Sequence, residues 1–564
     1  MTGRGGAALR GGAALGGLAA VVAAVLTVIV ALPFLFILLQ AIFPGIGVGS
    51  FADPFAALIE VLGSGNLPRA ARNTLVMGLG TVAVTALIAV PLAALRALFR
   101  LPGAAFWDIL FLVPFMIPPY IATLGWVMTG QPRGYLEQLT GHNIAGLLFS
   151  VPGIILILSL HCFPVVYFAL SRSFAAVGGR FADVSRVFGA SPIVAFGRVT
   201  LPLTLPALAA SLLLVFAMAI EEYGTPAVLG TRIGFRVLVT GIDEAIGDWP
   251  VDLPGASTLA LVLVGLATAA FLLQRRLLAR GGFETTGSRP AESGRRALGR
   301  WRLPVLLAFA AVAFVSTGVP LMAVLATALS RTVSGGLALS NMGLGNFASV
   351  FAAGSAARGA LLTSLGLGLV AALLTGLLGA VAAFVVLRTQ ARGRGYVDVV
   401  AALPNAAPGV VVALGMILLW NQPWLPVTPY NTLWILVLAY VLLLLPQPVR
   451  YTTAALQQIA PSLDDAARIC GASELTMARR ILLPLVAPHL MVAMLLVFVV
   501  AARELVASLL ILPVGRQTIA TFIWRQFDQG SVGVGMAMAF VTIGLTTLLP
   551  LIVLVAARRA DALG

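Results

Sequence analysis

The sequence predicts an all-α polytopic membrane protein of ~12 transmembrane helices, laid out as two parallel six-helix repeats. Three observations carry that reading. Of the 564 residues, 60% are hydrophobic and only 10% are charged, an apolar surplus too large for a soluble domain to hide from water. Apolar runs of about 20 residues, the length a helix needs to cross the hydrocarbon, recur along the whole chain. One polar segment also occurs twice, as FADVSRVFGASPIVAFGRVTLPLTLP from Phe181 to Pro206 and as LDDAARICGASELTMARRILLPLVAP from Leu463 to Pro488. Their glycines, Gly189 and Gly471, stand 282 residues apart, half the chain.

Taken in order, the expected spans centre roughly on residues 30, 84, 118, 157, 212 and 264, then on 316, 373, 410, 440, 496 and 544, at ~20 apolar residues per crossing. The first follows Arg4 and Arg10 and stays apolar to about Phe43, too long for a cleaved signal core, so a retained span is expected. Arg72 and Arg96 bracket the uncharged second span, Asn73 to Leu95. The third, WDILFLVPFMIPPYIATLG (Trp107 to Gly125), matches the ninth, VDVVAALPNAAPGVVVALG (Val397 to Gly415), with an offset of 290. The match pairs Asp108 with Asp398, Pro114 with Pro404, Pro118 with Pro408 and Gly125 with Gly415. These prolines can break or kink their helices, and the carbonyls so freed must face protein or water. The segments that follow, Gly130 to Asn143 and Trp420 to Asn431, have diverged. The polar stretch Arg275 to Arg302 reads as the linker between halves. The expected domains are therefore 1–274, with a repeated loop at 172–204, and 303–564, with its copy at 450–486, joined by 275–302.

Arginines near span ends set orientation, because such residues are retained in the cytoplasm. They gather in the loops that follow even-numbered spans, which places both termini and both repeated loops inside. Topology thus accounts for the net charge of +15, and no nucleic-acid partner is needed. All 35 basic residues are arginine. With no lysine the phosphate-binding pattern GxxxxGK[ST] is absent, so the chain is not expected to be an enzyme by itself, to carry catalytic residues or to bind a cofactor. Cys162 and Cys470 are too far apart in topology for a disulfide framework, and His142, His161 and His489 lack metal-ligand spacing.

Each repeated loop reads as helix, sharp turn, helix. Gly189 and Gly471 suit the left-handed position past a helix end, and Ser191 and Ser473 suit the next N-cap, with Pro192 at the first helical position of copy one. Leu201-Pro202 and Leu483-Pro484 close the segment as the chain re-enters the membrane. Acid-Ala-Ala, then Gly-Ala-Ser, then Leu-Pro resembles the EAA loop of ABC importer permeases. That resemblance implies a type I importer permease fold in a bacterial inner membrane. It also implies two ABC ATPase subunits carrying ATP and Mg, and a periplasmic or lipid-anchored solute-binding protein. The residues it places on the ATPase are Asp183, Arg186, Gly189, Ala190, Ser191 and Pro202 in copy one. In copy two they are Asp465, Ala466, Ala467, Arg468, Gly471, Ala472, Ser473 and Pro484. Copy one departs from the pattern, reading Asp183-Val184-Ser185.

The fused layout resembles the ferric-iron permease family through EEYGTPAVLG (Glu221 to Gly230), LGRWRLP (Leu298 to Pro304) and AARELVASLLILPVG (Ala501 to Gly515). The resemblance implies ferric iron as cargo; related permeases serve thiamine, polyamines, aminoethylphosphonate, sulfate and molybdate. A secondary transporter with internal repeats is the alternative of another class. It would place carboxylates or histidines mid-span as ion sites, and only His161 and His489 stand there. Glu222 and Glu504, equivalent acids after spans 5 and 11, have two readings. They line the outer part of a translocation route, or they are ordinary span ends in the headgroup zone with Arg503 paired locally.

Overall fold

The computed structural model describes residues 16–177, 189, 191, 194, 196–280 and 297–561. Among them nine helices are long and apolar enough to cross a membrane, and three bent pairs raise the number to twelve. The first six are Gly16–Ile42 (span 1), Asn66–Leu98 (span 2), the bent pair Ala104–Met116 and Pro119–Thr140 (span 3), Val151–Ala176 (span 4), Phe196–Glu221 (span 5) and Leu253–Leu278 (span 6). The second six are Gly299–Leu329 (span 7), Ala356–Arg388 (span 8), Arg394–Ala406 with Gly409–Trp420 (span 9), Leu433–Leu444 with Pro446–Gln458 (span 10), Ala478–Ala502 (span 11) and Val532–Leu549 (span 12). Spans 2 and 8 leave Leu79, Leu87, Leu373 and Leu377 exposed, the all-round apolarity that a helix needs when lipid rather than water covers its outer face. Arg275–Arg280 extend the helix of span 6, and Gly299–Trp301 form a helical turn at the start of span 7. The rest of the expected linker, 281–296, lies outside the described residues.

Proline shapes both halves alike. Spans 3 and 9 break at Ile117-Pro118 and Ala407-Pro408, turning by 94° and 119°, because a ring without an N–H cannot continue the ladder. Spans 1 and 7 instead absorb Pro33 and Pro320 through a π-turn just upstream, Thr27–Ala31 and Phe314–Gly318. Widening the helix by one residue there accommodates the missing donor without a break.

The first span of each six-helix set packs on the opposite set. Span 1 buries Ala19, Val22, Leu26 and Val30 among residues of spans 8, 9 and 10, and Thr27 Oγ1 lies 2.6 Å from the Tyr396 hydroxyl. Span 7 buries Val305, Phe309 and Ala313 among residues of spans 2 to 5, with the Phe309 ring stacked 5.3 Å from that of Phe111. Farther along, Pro33 meets span 9 at Gly415 and Pro320 meets span 3 at Gly125. A Cβ on Gly125 would stand 2.7 Å from the Pro320 carbonyl oxygen, and one on Gly415 would stand 2.9 Å from Pro33 Cβ. Only glycine allows backbones to approach this closely. The pairing of these two glycines in sequence thus marks the two crossings where the halves interlock.

Candidate functional site

The break of span 3 and the ends of spans 5 and 11 converge on one cavity of about 150 Å³, lined by Pro118, Tyr120 and Glu222 from the first half and by Arg503, Glu504 and Val506 from the second. Each carboxylate is placed by the helical turn that follows it. Glu222 Oε1 accepts the Thr225 N–H at 3.2 Å. Glu504 accepts the N–H groups of Ala507 and Ser508, both at 3.1 Å. These are donors that a helix start leaves without intrahelical partners, so the acids are anchored by backbone geometry at the cavity wall. Glutamine at either position would keep an accepting oxygen and lose the charge.

Arg503 departs from the expected local pairing. Its Nη1 donates across the interface between halves to the carbonyl of Met116, which the break of span 3 has released from the helical ladder. Thr546 Oγ1 donates to the same oxygen at 3.5 Å. The proline break creates an acceptor inside the bundle, and a guanidinium with several donors is the side chain best able to satisfy it. The equivalent residue in the first half is Glu221, so the latch exists once. Two acids and one arginine from both halves therefore share the cavity.

The second repeated loop is described in full as backbone. Helix Pro461–Ile469 ends at Gly471, whose φ of +82° lies in the left-handed region. Ser473 Oγ then accepts the Thr476 N–H at 3.2 Å and opens the next helix. In the first loop Gly189 has φ +88° and Ser191 Oγ accepts the Val194 N–H at 3.4 Å. Asp183, Arg186, Ala190 and Pro192 lie outside the described residues, as does the side chain of Arg468. Ala467 is buried on a small apolar cluster with Ala455, Met477 and Val486, whereas Asp465 and Ala466 face outward. Leu483-Pro484 corrects the expectation of a break on re-entering the membrane. Helix Glu474–Met477 runs into span 11 through the π-turn Ala478–Leu482, which absorbs Pro484 as its counterparts absorb Pro33 and Pro320. Leu201-Pro202 likewise follows the π-turn Phe196–Thr200 without ending span 5. The outward element of the loop is therefore Pro461–Ile469.

Residues 376–561 match the sequence model of a family described as binding-protein-dependent transport system inner membrane component. The ferric transport system permease protein FbpB of Actinobacillus pleuropneumoniae is 26% identical over 537 residues, covering 93% of this chain and 76% of that protein. The Fe(3+)-transport system permease protein FbpB 2 of Haemophilus influenzae is 22% identical, over 88% of this chain and 89% of that protein. A Salmonella typhimurium protein that carries the name 2-aminoethylphosphonate transport system permease protein PhnV is 32% identical over 230 residues, 41% of this chain but 85% of its own length. The chain belongs to this permease family. It is an ABC importer permease, a multi-pass inner membrane protein in which two permease units are fused.

Three features of this permease were not singled out in the sequence. Ile469, at the tip of the second loop, is 87% exposed; an apolar residue there, aligned with Val187 in copy one, was a visible signal in an otherwise polar segment. Arg503 was seen, but its partner, a carbonyl released 387 residues earlier, has no side-chain signature. Arg388, one of the arginines near span ends, forms a buried ion pair with Asp464 at 2.9 Å. Among the described residues no group of three or more His, Cys, Asp or Glu side chains is placed to hold a metal ion. His161 lies along the ring of Phe115 at 6.0 Å.

Proposed function

We propose that this permease imports ferric iron, with both repeated loops and both termini in the cytoplasm, one ATPase subunit on each loop and a solute-binding protein on the opposite face. The observation that carries the cargo assignment is the pair Glu222 and Glu504, brought from the two halves to one cavity. Near-full-length similarity to two proteins named as ferric permeases supports it. Two carboxylates offer a cation a short-lived site: attractive enough to draw it from the binding protein, too few in ligands to retain it. Closure of the ATPase pair would push Pro461–Ile469 and its copy together, and spans 5 and 11 would carry that motion to the cavity.

A second reading rests on Arg503. The same cavity holds one guanidinium, suited to a phosphonate, and PhnV is among the relatives. One experiment separates the two. In proteoliposomes containing the permease, its ATPase and its binding protein, Glu222→Gln with Glu504→Gln should abolish ferric uptake while binding-protein docking and basal hydrolysis persist. Undiminished iron uptake at matched membrane level removes both acids from the route, and loss of phosphonate rather than iron uptake in Arg503→Gln selects the second reading.

A further inference from the structure

The two halves place one ion pair differently. In the first, Arg96 near the end of span 2 pairs with Asp108 of span 3 at 2.7 Å, and the Tyr167 hydroxyl donates to the same carboxylate at 2.8 Å. In the second, Asp398, the counterpart of Asp108, is exposed. Arg388, the last residue of span 8, turns instead to the repeated loop. Its Nη1 lies 2.9 Å from Asp464 Oδ2, and its Nη2 donates to the carbonyls of Leu456 and Ile459 at 2.8 and 3.0 Å. One planar guanidinium thus fastens the end of span 8 to the last turn of span 10 and to the first turn of helix Pro461–Ile469. Cationic and anionic groups favour those helix ends. Both side chains are about nine-tenths buried, at 10% and 8% exposure, so this is not a surface pair of little consequence. In the first half the aligned residues are Leu98, which ends the 33-residue helix Asn66–Leu98 as Arg388 ends the 33-residue helix Ala356–Arg388, and Ala182. Neither can form the link.

We propose that Arg388 and Asp464 are a positioning pair that makes the second loop move as one body with span 8, giving the two ATPase docking sites unequal mechanical linkage to the bundle. The proposal rests on the reading that this loop docks an ATPase, and the experiment tests the two separately. The full complex is reconstituted with its ATPase and with the cognate binding protein purified carrying its own cargo. Basal ATP hydrolysis and its stimulation by that protein are measured. The double variant Arg388→Leu/Asp464→Ala installs the residues of the first half and strands no charge. It should insert at wild-type level and hydrolyse ATP, while the fold-stimulation drops about fivefold or more, the lower range of ordinary coupling between sites. Asp464→Asn, which keeps shape and an accepting oxygen, should give a smaller loss; if the double variant fails to insert, unchanged stimulation in Asp464→Asn overturns the proposal. Gly471→Val is the control. If it abolishes stimulation and the double variant does not lower it, the linkage is wrong; if Gly471→Val also leaves stimulation unchanged, the docking assignment itself is wrong.

Discussion

Arg503 and Met116 show what a single residue contributes here. The carbonyl of Met116 is available only because Pro118 ends the helix, and Arg503 satisfies it from the other half of the chain. Replacing Arg503 by alanine removes the charged donor from a partly buried acceptor, which costs roughly 1–3 kcal/mol. The thermal midpoint of the detergent-solubilised protein should fall. Arg503→Lys should recover part of the loss, and an unchanged midpoint in the alanine variant would show the bond to be dispensable. Much at this scale was legible in the sequence: a proline inside an apolar run announces a freed carbonyl, and the two equivalent acids beside span ends are the ones that meet at one cavity. The donor that reaches the carbonyl was not legible, because it depends on how spans 3 and 11 meet, and no local pattern encodes a meeting between segments from different halves.

The repeated loop tests the same question one level up. Gly471 needs its φ of +82°, yet a Cβ there would meet nothing within 4 Å; backbone strain alone sets the preference. Left-handed geometry costs an L-residue about 1–2 kcal/mol. Substitutions should therefore rank Asn, then Ala, then Val in retained ATPase stimulation, and Gly189 should follow the same order; equal activity for all three would mean that the turn is not needed. Ile469 calls for a different measurement. An 87% exposed isoleucine at a helix end is suited to anchor a partner, so Ile469→Glu should weaken co-purification of the ATPase without altering insertion. Turn and N-cap were predictable because each rests on one residue's conformational preference. The continuity of span 11 through Pro484 was not, since the Leu-Pro dipeptide suggests an end and does not show that the π-turn Ala478–Leu482 upstream takes up the missing donor.

For the molecule as a whole, the exchange of spans 1 and 7 decides how the halves hold together. Fragments 1–285 and 286–564 should assemble when co-expressed and restore uptake, because each carries a helix that buries residues against the other. Failure of two stably inserted fragments to co-purify would show that the intervening chain does more than tether. The twelve spans were visible in apolar length alone, with the centres near 118 and 410 falling on the two breaks. Their pairing was hidden, because a lipid-facing and a helix-facing leucine look the same in sequence.

The interlock has a consequence for how such a chain is made. Span 1 is made well before Gly409–Trp420, the part of span 9 against which Pro33 packs. Until then span 1 waits as a plug without its socket, while span 3 offers a socket at Gly125 that only Pro320 will fill. A single half bears both plug and socket, so two copies of it can close on each other about a two-fold axis. The fused chain performs that closure on itself, as a homodimer whose second subunit is its own later half.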